Sequence, residues 1–185
     1  MMSEMAKVQE ISETAESDKP VRDLKYNNIF SDIKKYGVMP VLRTRLRTSL
    51  VSLRRLYLVK VWGMDIHPDT LISLKVNLDR SYPKGIHIGE GTAISFDAVV
   101  LTHDFVRGMH VDTYIGKFCQ IGARSIIMPG LKVGDHCVIG AGTVVTKDVP
   151  PNSLVVGNPG RILRKNIKTG YWGKVLDKGE PADAE

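Results

Sequence analysis

From Ile115 to Pro150 an aliphatic Ile or Val stands at every sixth position and opens six consecutive units, IGKFCQ, IGARSI, IMPGLK, VGDHCV, IGAGTV and VTKDVP. A period this short predicts a β-solenoid, in which each unit supplies one short strand and one turn and stacked coils bury a core that no unit could bury alone. Position one (Ile115, Ile121, Ile127, Val133, Ile139, Val145) and position five (Cys119, Ser125, Leu131, Cys137, Thr143, Val149) are aliphatic or small, which suits a narrow interior. Glycine at position two (Gly116, Gly122, Gly134, Gly140) suits a tight corner or a close approach of backbones. Three such units would close one triangular coil of eighteen residues.

Upstream the pattern returns with breaks of phase. Ile88, Ile94 and Val100 share one phase, and Ile66, Ile72 and Leu78 share another. The breaks place one insertion around Asp79 to His87 and a second from Leu101 to Tyr114, LTHDFVRGMHVDTY. Loops that interrupt a rigid repeat commonly carry function, and the second holds two of the five histidines.

Ahead of the repeat, leucines at mostly three- and four-residue spacings (Leu42, Leu46, Leu50, Leu53, Leu56 and Leu58) predict an amphipathic helix. No acidic residue occurs from Ile33 to Met64, while Lys34, Lys35, Arg43, Arg45, Arg47, Arg54, Arg55 and Lys60 all do. The apolar face is expected to cap the open end of the solenoid. The basic face is solvated, or could attract an anionic membrane surface, a nucleotide-linked substrate or a polyanion, so peripheral membrane contact stays open. The expected organisation is a flexible lead over 1–22, a basic helical cap over 23–64, the repeat domain over 65–160, and a C-terminal extension over 161–185. That extension opens on an NPG stop at Asn158 to Gly160, after which ILRKN packs back as a helix or strand, and it becomes an acidic, mobile tail from Tyr171.

Composition narrows the classes. A chain of 185 residues with 6% aromatics suits one domain of aliphatic core. No apolar run approaches the roughly 20 residues that span a bilayer, and the first residues lack a signal-peptide layout, so a cytoplasmic location is expected. The net charge of +6 does not by itself argue for nucleic acid, because neither aromatic-rich strands nor a helix-turn-helix pattern accompanies it. Cys119 and Cys137 share a repeat position and read as stacked core residues; without a CxxC or nearby histidines, no metal site is expected.

The segments IHIGEGTAIS, VVLTHDF and IGARSIIMPGLKVGDHCVIGAGTVVTKDVPPNSLVVGNPGRILR resemble the hexapeptide-repeat acyltransferases, especially the maltose, galactoside and polysaccharide O-acetyltransferase branch. The resemblance covers about Ile66 to Arg164. It implies an all-β solenoid wound as a left-handed parallel β-helix, with an N-terminal helical cap and a short C-terminal extension. It also implies a homotrimer that uses acetyl-CoA, with active sites in clefts between adjacent solenoids.

The same resemblance assigns residues. His103 in LTHDF stands where the family places its general base, and imidazole is the side chain whose charge ordinarily changes between pH 5 and 8. Asp104, Asp97 or a backbone carbonyl are the candidates for orienting it. Asn77 in VNLD aligns with an asparagine near the base that contacts acceptor and helps steady the oxyanion. Asp79 and Tyr82 are candidate acceptor contacts. For CoA the transferred positions are Ala123, Ala141, Thr146, Lys147, Arg161 and Arg164, small residues beside the pantetheine arm and cations for phosphate. The chain departs from the pattern where Gln120 replaces an aromatic, in a short loop after His103, and in its basic N-terminal cap. His110 reads as an exposed loop histidine, with a second ligand-facing histidine in the same loop as the alternative.

The function expected is acetyl-CoA-dependent O-acetylation of a saccharide hydroxyl, in surface polysaccharide or lipopolysaccharide biosynthesis. The alternatives are N-acetylation of a nucleotide-linked amino sugar, serine or antibiotic acetylation, and a non-catalytic β-helical scaffold.

Overall fold

The structure is a computed structural model and describes residues 33–34 and 36–182. The expected flexible lead, 1–22, lies outside the described residues. The chain divides into two compact units, 1–47 and 48–185.

In the second unit the chain passes through three parallel sheets in turn. The first face is built from Asp65–Ile66, Ile86–Ile88, Thr113–Ile115 and Lys132–Val133. The second holds Leu71–Ile72, Ala93–Ile94, Gln120–Ile121, Val138–Ile139 and Leu154–Val156. The third holds Asn77–Leu78, Val99–Val100, Ile126–Ile127 and Val144–Val145. In the regular part Ile115 pairs with Val133, Ile121 with Ile139 and Ile127 with Val145, which is the eighteen-residue coil read from spacing. Earlier coils are longer because of the two insertions. Ile66 pairs with Ile88, and Ile88 with Ile115.

Position one of every unit is buried, and so is position five except Leu131, which is half-buried against the same core. Each fully buried Ile or Val contributes about 1.5–3 kcal/mol by leaving water. The two cysteines stack as expected: Cys137 N donates to Cys119 Sγ at 3.5 Å, and both thiols are free and buried. A hydrogen bond to the Cys137 thiol and burial outweigh that amide and push the Cys119 thiol well above its ordinary pKa, so it behaves as core.

The corner glycines act through close approach. A Cβ on Gly122 would lie 2.6 Å from Ala141 N and from the carbonyl carbon of Gly140, one coil on. The positive φ falls two residues later, at position four, and is taken by Phe118, Arg124 and His136 (φ 54, 58 and 57°) as well as by Gly130 and Gly142.

The helix α1, Val38–Lys60, corrects one expectation. In the second unit Leu50, Leu53 and Leu56 are exposed and do not cap the solenoid; Leu42 and Leu46 of the first unit are exposed too. The cap of the second unit is made by Leu58, which is buried, and by Val59 and Trp62 against the core. Arg54 completes it, donating from Nη1 to Ser73 O at 2.6 Å and from Nη2 to Val76 O at 2.7 Å, which satisfies carbonyls of the first coil.

The chain after Asn158–Pro159 returns as a strand, Arg161–Lys165, antiparallel to Leu154–Val156. The tail is folded through 182, contrary to the expected mobility from Tyr171. Glu180–Pro181 pairs with Arg164 and Lys165, and Lys168–Thr169 pairs with Val175–Asp177. Trp172 N bonds Gly91 O at 2.6 Å, and Tyr171 packs edge-on to Phe118 at 5.5 Å, which in turn stacks on His136.

Candidate functional site

The second insertion leaves the solenoid after Val100 and forms a small hairpin, His103–Asp104 against Met109–His110. Its base is fastened by two threonines that are fully buried. Thr102 Oγ1 donates to Tyr82 O at 2.7 Å, and Thr113 Oγ1 donates to Leu101 O at 2.6 Å. The first insertion supplies the third fastening. Asp79 Oδ2 accepts the amides of Thr102 (3.1 Å) and His103 (3.0 Å), while Oδ1 accepts that of Ser81 (2.8 Å). Burial works against the charged carboxylate, but these amide bonds outweigh it and hold the Asp79 pKa below its ordinary value.

The consequence is a fixed main chain at His103. Its ring stacks on His110 across the hairpin, centroids 5.0 Å apart, and meets Phe105 edge-on at 6.0 Å. Tyr82 packs on the far side of His110 at 5.5 Å. His110 is exposed, as expected, and forms part of the wall around His103. Phe105 and Val106 at the hairpin tip are 86% and 94% exposed. Asp104 accepts the Arg107 amide (3.0 Å) and faces its Nε (3.6 Å), and Asp97 faces Arg124 Nε (3.8 Å). Neither carboxylate is bonded to the His103 ring.

The remaining candidates distribute along the prism. Asn77 points outward from the third face, two residues before Asp79, and so shares the base of the loop that carries His103. Tyr82 interacts with Asp112, whose charge and hydrogen bond raise the phenol's pKa. Thr146 and Lys147 follow the last third-face strand and are exposed at the same edge from which the His103 loop departs two coils earlier. Ala123 and Ala141 stack at the other edge of the third face, where Gly142 N donates to Ala123 O at 2.8 Å. Arg161 is exposed on the returning strand, and Arg164 Nη1 donates to Gly179 O at 3.3 Å. Gln120 is held by the chain itself: its Nε2 donates to Ser95 Oγ at 2.9 Å, and Gly173 presses on its Cβ. Among the described residues, no group of three or more His, Cys, Asp or Glu is placed to hold a metal ion.

Asp79, Thr102 and Thr113 were legible only in part. Hydroxyls flank the interrupting loop in LTHDF and VDTYI, but their inward direction depends on register.

The family model described as bacterial transferase hexapeptide (six repeats) matches residues 112–147. The chain is 37% identical over 102 residues to the Bacillus subtilis (strain 168) protein named "Putative acetyltransferase YvoF", covering 54% of this chain and 59% of that one. It is 32% identical over 140 residues to a serine acetyltransferase of Buchnera aphidicola subsp. Schizaphis graminum (strain Sg), covering 72% of this chain and 48% of the relative. Among solved structures, a maltose O-acetyltransferase from Clostridium difficile 630 aligns with 28% identity and a TM-score of 0.48, over 63% of this chain and 74% of that one. This chain thus spans 59% and 48% of the lengths of the two sequence relatives. By its three-faced coil and by residues 112–147, the chain resembles the hexapeptide-repeat acyltransferases and carries the six-repeat unit of the bacterial hexapeptide transferases.

Proposed function

We propose that this protein is an acetyl-CoA-dependent O-acetyltransferase that modifies a saccharide hydroxyl, built as a trimer of left-handed β-helices with His103 as general base. The observation that carries the reading is the three-point fastening of the loop by Asp79, Thr102 and Thr113, which holds His103 beside an exposed aromatic tip. A base works only if it is held within hydrogen-bond reach of the proton it removes.

In the proposed reaction His103 takes the acceptor hydroxyl proton as that oxygen attacks the thioester carbonyl. The new C–O bond forms, the carbonyl electrons move to oxygen, and Asn77 donates to the resulting oxyanion. Collapse breaks the C–S bond, and the proton held by His103 passes to the departing CoA sulfur. Ala123 and Ala141 leave room for the pantetheine arm, and Thr146, Lys147, Arg161 and Arg164 face the CoA phosphates. Asp79 acts here as a positioning residue, since its carboxylate is taken up by three amides. Tyr82 contacts the acceptor from the other side of His110. The likeness to a serine acetyltransferase over 72% of the chain makes serine the second acceptor to test.

The experiment measures CoA thiol release from acetyl-CoA with sugars, nucleotide amino sugars, glycan fragments and serine, comparing wild type with His103→Ala. Turnover with a saccharide that drops by at least about a hundredfold in the variant, at the lower end for general-base removal, is expected. Near-normal turnover removes His103 from its role, and a response to serine alone replaces the saccharide assignment.

A further inference from the structure

The exposed stripe on α1 is not used in the proposed acetyl transfer. Projected at 3.6 residues per turn, Met39, Leu42, Leu46, Leu50, Leu53 and Leu56 fall within an arc of about 120°. All six are exposed, Leu46 and Leu53 at 59% and 64%. In the second unit Leu58, which packs into the solenoid core, stands about 140° around the helix from the middle of this arc, and Arg54, which bonds the first coil, flanks its Leu50 edge. Arg43 and Arg45 flank the arc on its two sides, Lys60 falls within it at the C-terminal end, and no acidic residue occurs from Ile33 to Met64.

We propose that α1 lies in the plane of an anionic lipid bilayer, with its leucine stripe among the acyl chains and its arginines at the headgroup phosphates. The charge pattern selects this occupant. A second copy of the same helix would bring cation against cation with no carboxylate to compensate, whereas a phosphate surface is complementary. An apolar stripe bordered by arginine and lysine is the pattern of helices that lie in a membrane interface. No helix among the described residues is long and apolar enough to cross a membrane, so the helix lies on the surface.

The test uses the full chain in flotation assays with vesicles of phosphatidylglycerol and phosphatidylcholine in equal parts, and of phosphatidylcholine alone. Wild type is expected to float with the anionic vesicles only and to be released by salt. Arg43→Gln with Lys60→Gln should weaken partitioning about five-fold per residue removed. Leu46→Glu with Leu53→Glu should abolish flotation while leaving the circular dichroism spectrum and the mass of the assembly unchanged, because both side chains are exposed. The proposal is overturned if wild type fails to float with anionic vesicles or if the glutamate variant floats like wild type. A glutamate variant of altered assembly mass also overturns it, since the stripe is then buried between copies. None of these readouts depends on acetyl transfer.

Discussion

Asp79 shows how much one carboxylate can organise. It joins the two insertions, and its depressed pKa makes the joint sensitive to acid. Because the folded pKa lies below the unfolded one, the stabilisation is complete above the ordinary carboxylate value of about 4 and is lost as pH falls through the folded value. Asp79→Asn should therefore cost about 1 kcal/mol in urea unfolding at pH 7, and the gap to wild type should narrow at a pH below the ordinary carboxylate value of about 4. An equal gap at both pH values would show that the charge is not what matters. A second residue-scale contrast separates approach from conformation. Gly122→Ala forces a methyl onto the next coil's backbone and should cost about 1–3 kcal/mol, with a matching fall in Tm. Gly142→Ala, at φ +69° with nothing within 4 Å of the added carbon, should cost only about 1 kcal/mol of left-handed strain.

At the scale of elements, the repeat and its interruptions divide the labour. Coils present rigid edges, and the hairpin after Val100 carries the candidate base. The periodicity located both insertions, because a shift of phase can be read without a structure. Their contents could not be read this way: the pairing of His103 with His110 depends on where the hairpin turns, at Phe105 to Gly108, and a one-residue shift would send His110 to the other face. The helix misled for a related reason. A leucine periodicity reports an apolar face but does not say whether that face meets the protein, and here Arg54 and Leu58 make the attachment. On the returning strand, replacing both Arg161 and Arg164 by Ala should raise the acetyl-CoA KM at least several-fold while kcat changes little. An unchanged KM would place CoA elsewhere.

For the whole molecule, the second unit is one continuous aliphatic column, with the Arg54 cap at the first coil and the returning strand Arg161–Lys165 beside the last. The folded tail lies against the outside of this column and covers Gln120 and Phe118. A chain ending at Gly170 should thus lose stability by thermal melting, whereas a mobile tail would leave Tm unchanged. Light scattering on the full chain should give three times the chain mass if the proposed clefts between solenoids exist; a monomer at high concentration would remove them.

The sequence by itself determined the coil length, the buried positions, the two interruptions and the family likeness. Each follows from side chains alternating between an interior too narrow for anything but aliphatic and small residues and an exterior open to water. Only the tertiary structure decided which face of α1 meets the core, that the acidic tail folds back, and that Asp79 holds His103 in place. Those outcomes rest on hydrogen bonds and packing between residues from different coils and turns, whose partners are chosen by the stacking of coils and leave no local period to read.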